Sequence, residues 1–205
     1  MSVRKGVLRL LWVAAALLIS LRYRVRAVGR EHVPAAGAVL LLGNHVSWLD
    51  WLLVQIALRR RLLRYMMERS IYEWPALRWI FRLGRTIPVS SKASKQAFEE
   101  AAAALNAGEA VGIFPEGGIS RRCEIEKFYR GFEIIASQSH RGAIVPFYID
   151  GMCGSRLSYT RKTHGGRQWS LRRPVTVIFG APMPLGSSAD TVRGAVMQLK
   201  DTIAQ

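Results

Sequence analysis

The order of apolar and polar residues along the chain predicts strands that alternate with helices. The unbroken apolar run at residues 38–43 is typical of a strand buried on both faces. A similar run covers residues 62–67, and Ser91 or Ser94 caps a helix that continues to about Asn106. Further strands are predicted at residues 23–28, 86–89, 110–114, 143–149 and 175–179, and helices at residues 48–58, 74–83, 129–139 and 188–204. This alternation predicts an α/β fold with a central mixed, largely parallel sheet of about six to seven strands, flanked by helices.

The N-terminal residues 1–21 show a different pattern. Residues 10–21 are nearly all apolar, and this run is shorter than the about 20 residues that cross a bilayer. Cations flank it on both sides, namely Arg4, Lys5, Arg9, Arg22, Arg24 and Arg26. Such cations hold a helix at the headgroup level, and arginines in place of small residues argue against a cleaved signal peptide. We therefore expect a monotopic membrane-associating helix at residues 1–21 and a single domain at residues 22–205. A single membrane span is the alternative.

The charge of the chain indicates an anionic partner. The formal net charge is +16, and half of the 205 residues are hydrophobic, which excludes a disordered chain. Apolar side chains interleave with arginines, as at residues 78–82, and this suits an anionic lipid surface better than a duplex groove. A solvated basic face without a specific partner is the alternative. Zinc-ligand spacing and RNA-binding aromatic patterns are absent from the sequence, so we expect no nucleic-acid partner.

The two cysteines carry no metal-binding pattern. Cys123 and Cys153 are isolated and lack the spacing of metal ligands. With no secretory signal, we expect both to be reduced thiols in a cytosolic compartment. We also expect no metal site.

The segment from Asn44 to Asp50 places a histidine near a carboxylate. Ser47 and Asp50 have the spacing of a capping box, in which Ser47 caps the helix and Asp50 is the third helical residue. His45 then lies in the loop between strand and helix, and Asp50 can reach back to one nitrogen of its ring. The other nitrogen is left free to act as a general base. The alternative is an incidental pair in which Asp50 only caps the helix.

A second polar loop, Phe114 to Arg122, directly follows the predicted strand at residues 110–114. Two glycines there allow the backbone to approach a ligand closely, and two arginines beyond them can bind phosphate. Glu116 can accept hydrogen bonds from a substrate hydroxyl or brace the loop. Ligands bind at the carboxyl ends of strands in open α/β sheets, so this loop and His45 meet if their strands are parallel neighbours. An ordinary turn is the alternative.

The motifs in this order resemble those of the glycerophospholipid acyltransferases, which include the 1-acylglycerol-3-phosphate acyltransferases. The resemblance covers residues 20–185 and rests on three motifs: Asn44-His45 with Asp50, Phe114-Pro115-Glu116-Gly117, and Val145-Pro146-Phe147. It implies acyl transfer from acyl-CoA or acyl carrier protein to a free hydroxyl of a lysophospholipid, at the cytoplasmic face of the cell membrane. It also implies a peripheral or monotopic enzyme that uses no metal and no cofactor besides the acyl donor.

The resemblance implies a role for each site residue. His45 is the base that deprotonates the acceptor hydroxyl, and Asp50 holds its tautomer. Asn44 supports the loop, Glu116 and Gly117 position the glycerol phosphate, and Arg121 helps to bind it. This set, with His45 and Asp50 catalytic and Asn44, Glu116, Gly117 and Arg121 binding substrate, constitutes the candidate site.

Two departures from the family pattern concern the acceptor. The usual Asp-Arg pair after an Ile-Pro-Val strand is replaced by Ser90-Ser91, followed by Lys92. Lys92, Arg85 or Arg121 are candidates to replace the missing arginine. Gly118-Ile119-Ser120 stands where Thr-Arg-Ser is usual.

With the second departure the loop reads Glu-Gly-x-Ile-Ser at residues 116–120. This pattern resembles the acyltransferase part of the fused acyl-carrier-protein synthetase/2-acylglycerophosphoethanolamine acyltransferases. Lysophosphatidic acid and lysophosphatidylethanolamine therefore both stay open as acceptors. The alternatives are another lipid acceptor, such as a lyso-aminolipid, and a non-catalytic basic module that binds membranes.

Overall fold

The strands of the protein form one sheet with helices packed on both sides. The computed structural model describes residues 3–59, 61–90, 94–161 and 172–203. The strands in this part of the chain are β1 Tyr23–Val28, β2 Val39–Gly43, β3 Leu63–Glu68, β4 Ile87–Val89, β5 Ala110–Ile113, β6 Ala143–Asp150 and β7 Arg173–Phe179. The helices are α1 Val3–Arg22, α2 Asp50–Leu58, α3 Arg69–Tyr72, α4 Arg78–Leu83, α5 Ser94–Asn106, α6 Gly131–Ser137 and α7 Ala189–Asp201.

The sheet is mixed and largely parallel, which confirms the predicted fold class. Its seven strands lie in the order β1-β7-β6-β2-β5-β3-β4. Every neighbouring pair is parallel except β6 and β7, which are antiparallel. Because β2 and β5 are parallel neighbours, with Leu42 opposite Ile113, the two polar loops that follow them leave the same edge of the sheet.

Two apolar layers explain why β2 is an unbroken apolar run. Leu40 and Leu42 pack into the layer under α5, α6 and α7, while Val39 and Leu41 pack into the layer under α2. None of these four side chains is exposed to solvent. Each face of the strand is therefore covered, and the alternation of polar and apolar residues that marks a half-exposed strand is not required.

The segment between β3 and β4 contains two short helices where the sequence predicts one longer helix. The expected helix at residues 74–83 is a hydrogen-bonded turn at residues 75–77 that leads into α4, and the short helix α3 precedes it. The expected helix at residues 129–139 begins at Gly131. Two segments lie outside the described residues. One is residues 91–93, which include Ser91 and Lys92, and the other is residues 162–171 of the basic segment between β6 and β7.

The N-terminal helix α1 is longer than the apolar run from which it is predicted. It packs on the α2 side of the sheet, where the rings of Trp12 and Trp51 meet edge to face at 5.7 Å. Its exposed apolar side chains, between 59% and 72% accessible, are Leu10, Val13, Leu17, Leu18 and Leu21. Among the helices in the described ranges, none combines the length and the apolar character needed to cross a bilayer. Membrane association of α1 stays a prediction, as does the division of the chain at residue 21.

The expectation of two reduced thiols is wrong in this structure. Cys123 and Cys153 form a disulfide, with their Cα atoms 5.6 Å apart. Cys123 lies in the loop after β5 and Cys153 in the loop after β6. Since β2 is the parallel neighbour of both strands, the two loops leave the same edge of the sheet. Their 30-residue separation in sequence hides this proximity.

Candidate active site

His45 and Asp50 form a hydrogen-bonded pair in the turn between β2 and α2. Nδ1 of His45 lies 2.8 Å from Oδ2 of Asp50. The imidazole ring stacks on the ring of Phe114, with the ring centroids 4.2 Å apart and the planes 17° from parallel. The His45 side chain is 18% exposed, whereas that of Asp50 is fully buried. The carboxylate and the phenyl ring therefore fix the orientation of the imidazole, as a general base at a cleft requires.

The hydrogen bonds of Asp50 favour one tautomer of His45. The carboxylate accepts hydrogen bonds from the backbone N–H of Val46 at 2.6 Å, the backbone N–H of Ser47 at 2.8 Å and the hydroxyl of Ser47 at 2.5 Å. An ionised carboxylate is acceptor-only, so these donors suit the charged form of Asp50. A neutral His45 then carries its proton on Nδ1, and the lone pair of Nε2 is free to accept a proton.

The hydrogen bonds of the predicted capping box are present, because the Ser47 hydroxyl accepts from the N–H of Leu49 at 3.3 Å and the Asp50 carboxylate accepts from the N–H of Ser47 at 2.8 Å. The bounds of the helix differ from the prediction. Helix α2 begins at Asp50 itself, its N-cap is Leu49, and Leu49 makes no capping hydrogen bond with its side chain. The Asp50 carboxylate turns back to bond the N–H groups of Val46 and Ser47, so it closes the turn that contains His45. The consequence drawn from the capping box, that Asp50 reaches a histidine in the loop, has the predicted geometry.

Asn44 braces the site from beneath. It is buried, its side-chain amide donates to the carbonyl oxygen of Ile149 at 3.0 Å, and its Oδ1 accepts from the N–H of Ile149 at 2.7 Å. These bonds tie the end of β2 to β6 and support the loop. A direct contact between Asn44 and a substrate stays a prediction, and this geometry does not favour it.

Glu116 connects the second loop to the first. Its Oε1 accepts a hydrogen bond from the backbone N–H of His45 at 3.2 Å, and its Oε2 is buried without a hydrogen-bond partner among the described residues. Burial raises the pKa of Glu116 to about 8, and the nearby carboxylates of Glu126 and Asp50 act in the same direction. The backbone N–H of Ser120 also donates to the carbonyl of His45 at 2.7 Å. The two loops therefore meet at His45, as the sequence predicts.

Gly117 has the backbone conformation for which glycine is suited. Its φ of 73° is left-handed, and its N–H closes a turn onto the carbonyl of Phe114. Any other residue here would place its Cβ 3.1 Å from the ring of Tyr129. The glycine is explained by the turn, and its contact with a substrate stays a prediction.

A cleft of about 490 Å³ opens beside Glu116. Its lining residues are Glu116, Gly118, Ile119, Arg121, Arg122, Glu124 and Glu126. Arg121 is exposed, and its guanidinium carbon lies 5.7 Å from the ring centroid of Tyr159. Arg121 and Arg122 are the cations of this cleft, and two guanidinium groups beside an open space suit a phosphate. His45 does not line the cleft itself, but its backbone N–H bonds the lining residue Glu116.

Arg85 is the wrong residue to replace the missing phosphate-binding arginine. It precedes β4, so it lies at the amino-terminal edge of the parallel strands, opposite the edge that carries His45. Its guanidinium forms a salt bridge with Glu109, and its carbonyl accepts a hydrogen bond from Arg64. Lys92 lies outside the described residues. Arg121 is the candidate that the structure places in the cleft.

Exposed aromatic residues beside the histidine turn are a feature that the sequence analysis misses. The ring of Trp48 stacks with that of Trp74 and meets that of Tyr159 edge to face, with the ring centroids 6.1 Å apart in each pair. Each of the three side chains is at least a third exposed. They come from three separate segments, so no local spacing indicates the cluster. Across residues 3–59, 61–90, 94–161 and 172–203, no group of His, Cys, Asp or Glu side chains has metal-binding geometry.

The fold and the histidine site define an acyltransferase domain, and the comparisons with known proteins agree. The chain belongs to the Acyltransferase family, whose model matches residues 24–150. The predicted resemblance to the 1-acylglycerol-3-phosphate acyltransferases is thereby confirmed at the level of the family. A solved structure with this fold is the 1-acyl-sn-glycerophosphate (LPA) acyltransferase PlsC from Thermotoga maritima, with a TM-score of 0.74 and 19% identity over 98% of this chain and 82% of that one.

The similar curated proteins share less than a third of their aligned residues with this chain. The 1-acyl-sn-glycerol-3-phosphate acyltransferase of Bacillus subtilis is 24% identical over 67% of this chain and 68% of its own length. A protein of that name from Chlamydomonas reinhardtii is 25% identical over 86% of this chain and 52% of its own. An uncharacterized protein of Mycobacterium leprae is 29% identical over 63% of this chain. The chain spans 37% of the length of this mycobacterial relative.

Proposed function

We propose that the protein is a membrane-associated O-acyltransferase that esterifies the free hydroxyl of a lysoglycerophospholipid, in phospholipid biosynthesis or remodelling. The acyl donor is a thioester, either acyl-CoA or acyl carrier protein. The observation that carries the proposal is the His45–Asp50 pair joined through Glu116 to a cleft with two arginines. The names of the Thermotoga maritima, Bacillus subtilis and Chlamydomonas reinhardtii proteins support lysophosphatidic acid as the first acceptor to test.

The proposed reaction is a direct acyl transfer. Nε2 of His45 takes the proton of the acceptor hydroxyl as its oxygen attacks the thioester carbonyl, and the tetrahedral intermediate expels the thiolate. The imidazolium then returns the proton to the leaving sulfur. Asp50 stabilises the imidazolium by the hydrogen bond at Nδ1, and its buried charge makes this stabilisation stronger than in water. The reaction uses the donor as a substrate and requires no metal or further cofactor.

The acceptor is placed with its phosphate towards Arg121 and Arg122 and its hydroxyl towards His45. The arginines lie in the loop that continues from Glu116, so a phosphate between them brings the attached glycerol to the Glu116 end of the cleft. The same arrangement accepts the phosphodiester of lysophosphatidylethanolamine or the headgroup of a lyso-aminolipid. The enzyme is proposed to work at the cytoplasmic face of the membrane, as a peripheral or monotopic protein held by α1.

Substitution of His45 tests the mechanism. The protein in detergent is given one long-chain acyl-CoA or one acyl carrier protein donor, with lysophosphatidic acid, lysophosphatidylethanolamine or a lyso-aminolipid as acceptor, and products are measured by mass spectrometry. His45→Ala is expected to lower kcat by about 10²–10⁴-fold with the preferred acceptor, because a positioned base is lost.

His140→Ala is the matched control, since His140 is an exposed histidine in the loop between α6 and β6. It is expected to keep the wild-type rate. A His45→Ala variant that folds and retains a rate close to wild type contradicts the mechanism. A wild-type protein that acylates none of the three acceptors with either donor contradicts the proposed substrate class.

A further inference from the structure

The Cys123–Cys153 disulfide joins two loops that both contact the histidine turn. The cleft loop, residues 116–126, bonds His45 through Glu116 and Ser120. The β6 loop, residues 151–161, contacts the same turn at Trp48. There the N–H of Trp48 donates to the carbonyl of Leu157 at 3.0 Å, and the Trp48 ring meets Tyr159. The two loops thus both contact the turn that carries the proposed base, one at His45 and the other at Trp48.

The disulfide is the covalent contact between these loops. Near it, Cys123 Sγ lies 2.9 Å from the hydroxyl of Thr160, and Arg121 of the cleft loop lies over the ring of Tyr159 of the β6 loop. This cation–π pair is exposed to solvent, where such interactions are weak. The relative position of the loops therefore depends strongly on the bond between the two sulfur atoms.

The two ends of the disulfide differ in how firmly the fold holds them. Cys153 is anchored to the sheet, because the guanidinium of Arg173 at the start of β7 donates to the carbonyl oxygens of Gly151 and Cys153. Cys123 lies between the cleft-lining residues Arg122 and Glu124 and has a left-handed backbone with φ of 61°. This conformation is uncommon for a residue with a side chain.

The cleft loop is anchored on either side of Cys123 in sequence. On one side Ser120 bonds His45, and on the other Arg193 donates to the carbonyl oxygens of Ile125 and Glu126. Loss of the bond is thus expected to release residues 121–124 of the cleft loop, which lie between these anchors, and to leave the β6 loop in place.

Accessibility and chemistry make the pair reactive. Both cysteines are partly exposed, so the disulfide lies near the surface of the protein. Disulfides in cytosolic proteins are usually transient or redox-sensing, because the thiol pools of that compartment keep cysteines reduced. An enzyme that faces the cytosol therefore meets the conditions under which this bond opens.

We propose that Cys123 and Cys153 form a redox latch on the acceptor cleft. In the disulfide form the cleft loop is held against the histidine turn, and the arginines are placed for the phosphate of the acceptor. In the dithiol form residues 121–124, which include both arginines, are released, and the acceptor binds less tightly. The effect on the acceptor rests on the proposed function, whereas the release of the loop does not.

The step is a thiol–disulfide exchange with a dithiol reductant. A thiolate of the reductant attacks one sulfur of the pair, the bond between Cys123 and Cys153 breaks, and a mixed disulfide forms. The second thiolate of the reductant displaces the cysteine sulfur and closes the reductant into its own disulfide. Two electrons pass to the protein, and the two cysteine sulfurs end as protonated thiols or thiolates.

The sequence makes the test specific, because the chain contains no cysteine other than these two. Wild-type protein is prepared in its oxidised form and after treatment with dithiothreitol. Labelling with an alkylating reagent counts the thiols, and hydrogen exchange followed by mass spectrometry reports on residues 116–126 and 151–161. Initial rates against lysophosphatidic acid, at fixed acyl-CoA, give KM and kcat for both forms.

We expect the reduced protein to bind two alkyl groups and the oxidised protein none. Reduction should increase hydrogen exchange in residues 116–126 more than in residues 151–161, and should raise KM for the acceptor by about fivefold or more, with a smaller change in kcat. The double variant Cys123→Ser/Cys153→Ser should match the reduced wild type and show no response to dithiothreitol.

Three results overturn the latch: an oxidised preparation that still carries two reactive thiols, equal hydrogen exchange of the cleft loop in both forms, or a double variant that responds to dithiothreitol as the wild type does. Absence of turnover in both forms counts against lysophosphatidic acid as the acceptor or acyl-CoA as the donor, and hydrogen exchange then decides the latch by itself.

Discussion

Asp50 and Glu116 are buried carboxyl groups beside His45 that differ in their surroundings. Asp50 accepts hydrogen bonds from two backbone N–H groups and a hydroxyl, which compensate a negative charge. Glu116 has one oxygen bonded to a backbone N–H and the other without a partner among the described residues, and burial raises its pKa to about 8. Hydrogen-bond donors therefore surround one carboxyl, whereas burial favours the neutral form of the other, and such a separation of roles is common in active sites.

Glu116→Gln is predicted to change how folding stability depends on pH. A carboxyl group whose pKa is raised in the folded state contributes stability that is complete below its unfolded value of 4.5 and is lost as pH rises through about 8. The unfolding free energy of the wild type should fall between about pH 5 and pH 9 relative to the variant, by at most about 5 kcal/mol. Urea denaturation at several pH values measures this difference.

Glu124→Gln is the control for this prediction, since Glu124 lies in the same loop with an exposed side chain. It should follow the wild-type pH dependence. If Glu116→Gln and Glu124→Gln show the same dependence, Glu116 is not neutral in the folded protein, and its raised pKa is wrong.

At the scale of single elements, α1 leaves a row of large apolar side chains uncovered. Its inner side packs on the body of the protein through Trp12 and Ile19, while Leu17 and Leu21 on its outer side are 64% and 69% exposed. Isolated exposed leucines are ordinary, but a row of them on one helix between arginines is typical of a membrane-surface helix.

The double variant Leu17→Ser/Leu21→Ser is predicted to lose membrane affinity and to keep its fold. Burial of a leucine contributes about 1.5–3 kcal/mol, so removal of two should lower partitioning into vesicles by at least about tenfold. Co-sedimentation with phosphatidylglycerol-containing liposomes measures the partitioning, and thermal unfolding verifies the fold. Met197→Ser, an exposed apolar position on α7, should leave partitioning unchanged. Equal partitioning of all three proteins contradicts the role of α1.

At the scale of the whole molecule, the net charge of +16 acts together with that apolar row. A strongly basic protein is attracted to any polyanion at low salt, so charge alone does not separate a lipid surface from a nucleic acid. The two partners differ in what remains when the charge is screened. Apolar contact persists with a bilayer, whereas binding to a duplex through phosphates is lost steeply as salt rises.

Binding to anionic liposomes is therefore predicted to fall with salt to a residual level, and binding to duplex DNA to fall to none. Both are measured between about 50 and 500 mM sodium chloride, by co-sedimentation and by filter retention. Zwitterionic liposomes serve as the reference for the residual apolar contribution. Tight, strongly salt-dependent retention of DNA without liposome binding supports a non-catalytic nucleic-acid-binding module instead.

Much of the fold can be read from local patterns, because burial imposes them on neighbouring residues. Strand β2 is unbroken and apolar since both of its faces are covered, and Ser188 caps α7 as the predicted helix start requires, by accepting the N–H of Thr191. Predicted element bounds are less exact, as at α2, which begins at Asp50 although Ser47 makes the expected capping hydrogen bond to the N–H of Leu49.

By itself the sequence determined the class of fold, the family and the pair of loops that carry His45 and Glu116. These follow from periodicity and from residues close together in the chain, whose geometry is constrained by short connections. The tertiary structure alone decided that Cys123 bonds Cys153, that Arg85 lies at the opposite edge from the site, and that Trp48, Trp74 and Tyr159 form one cluster. Such facts depend on the order of strands in the sheet, which brings together segments that no local pattern connects.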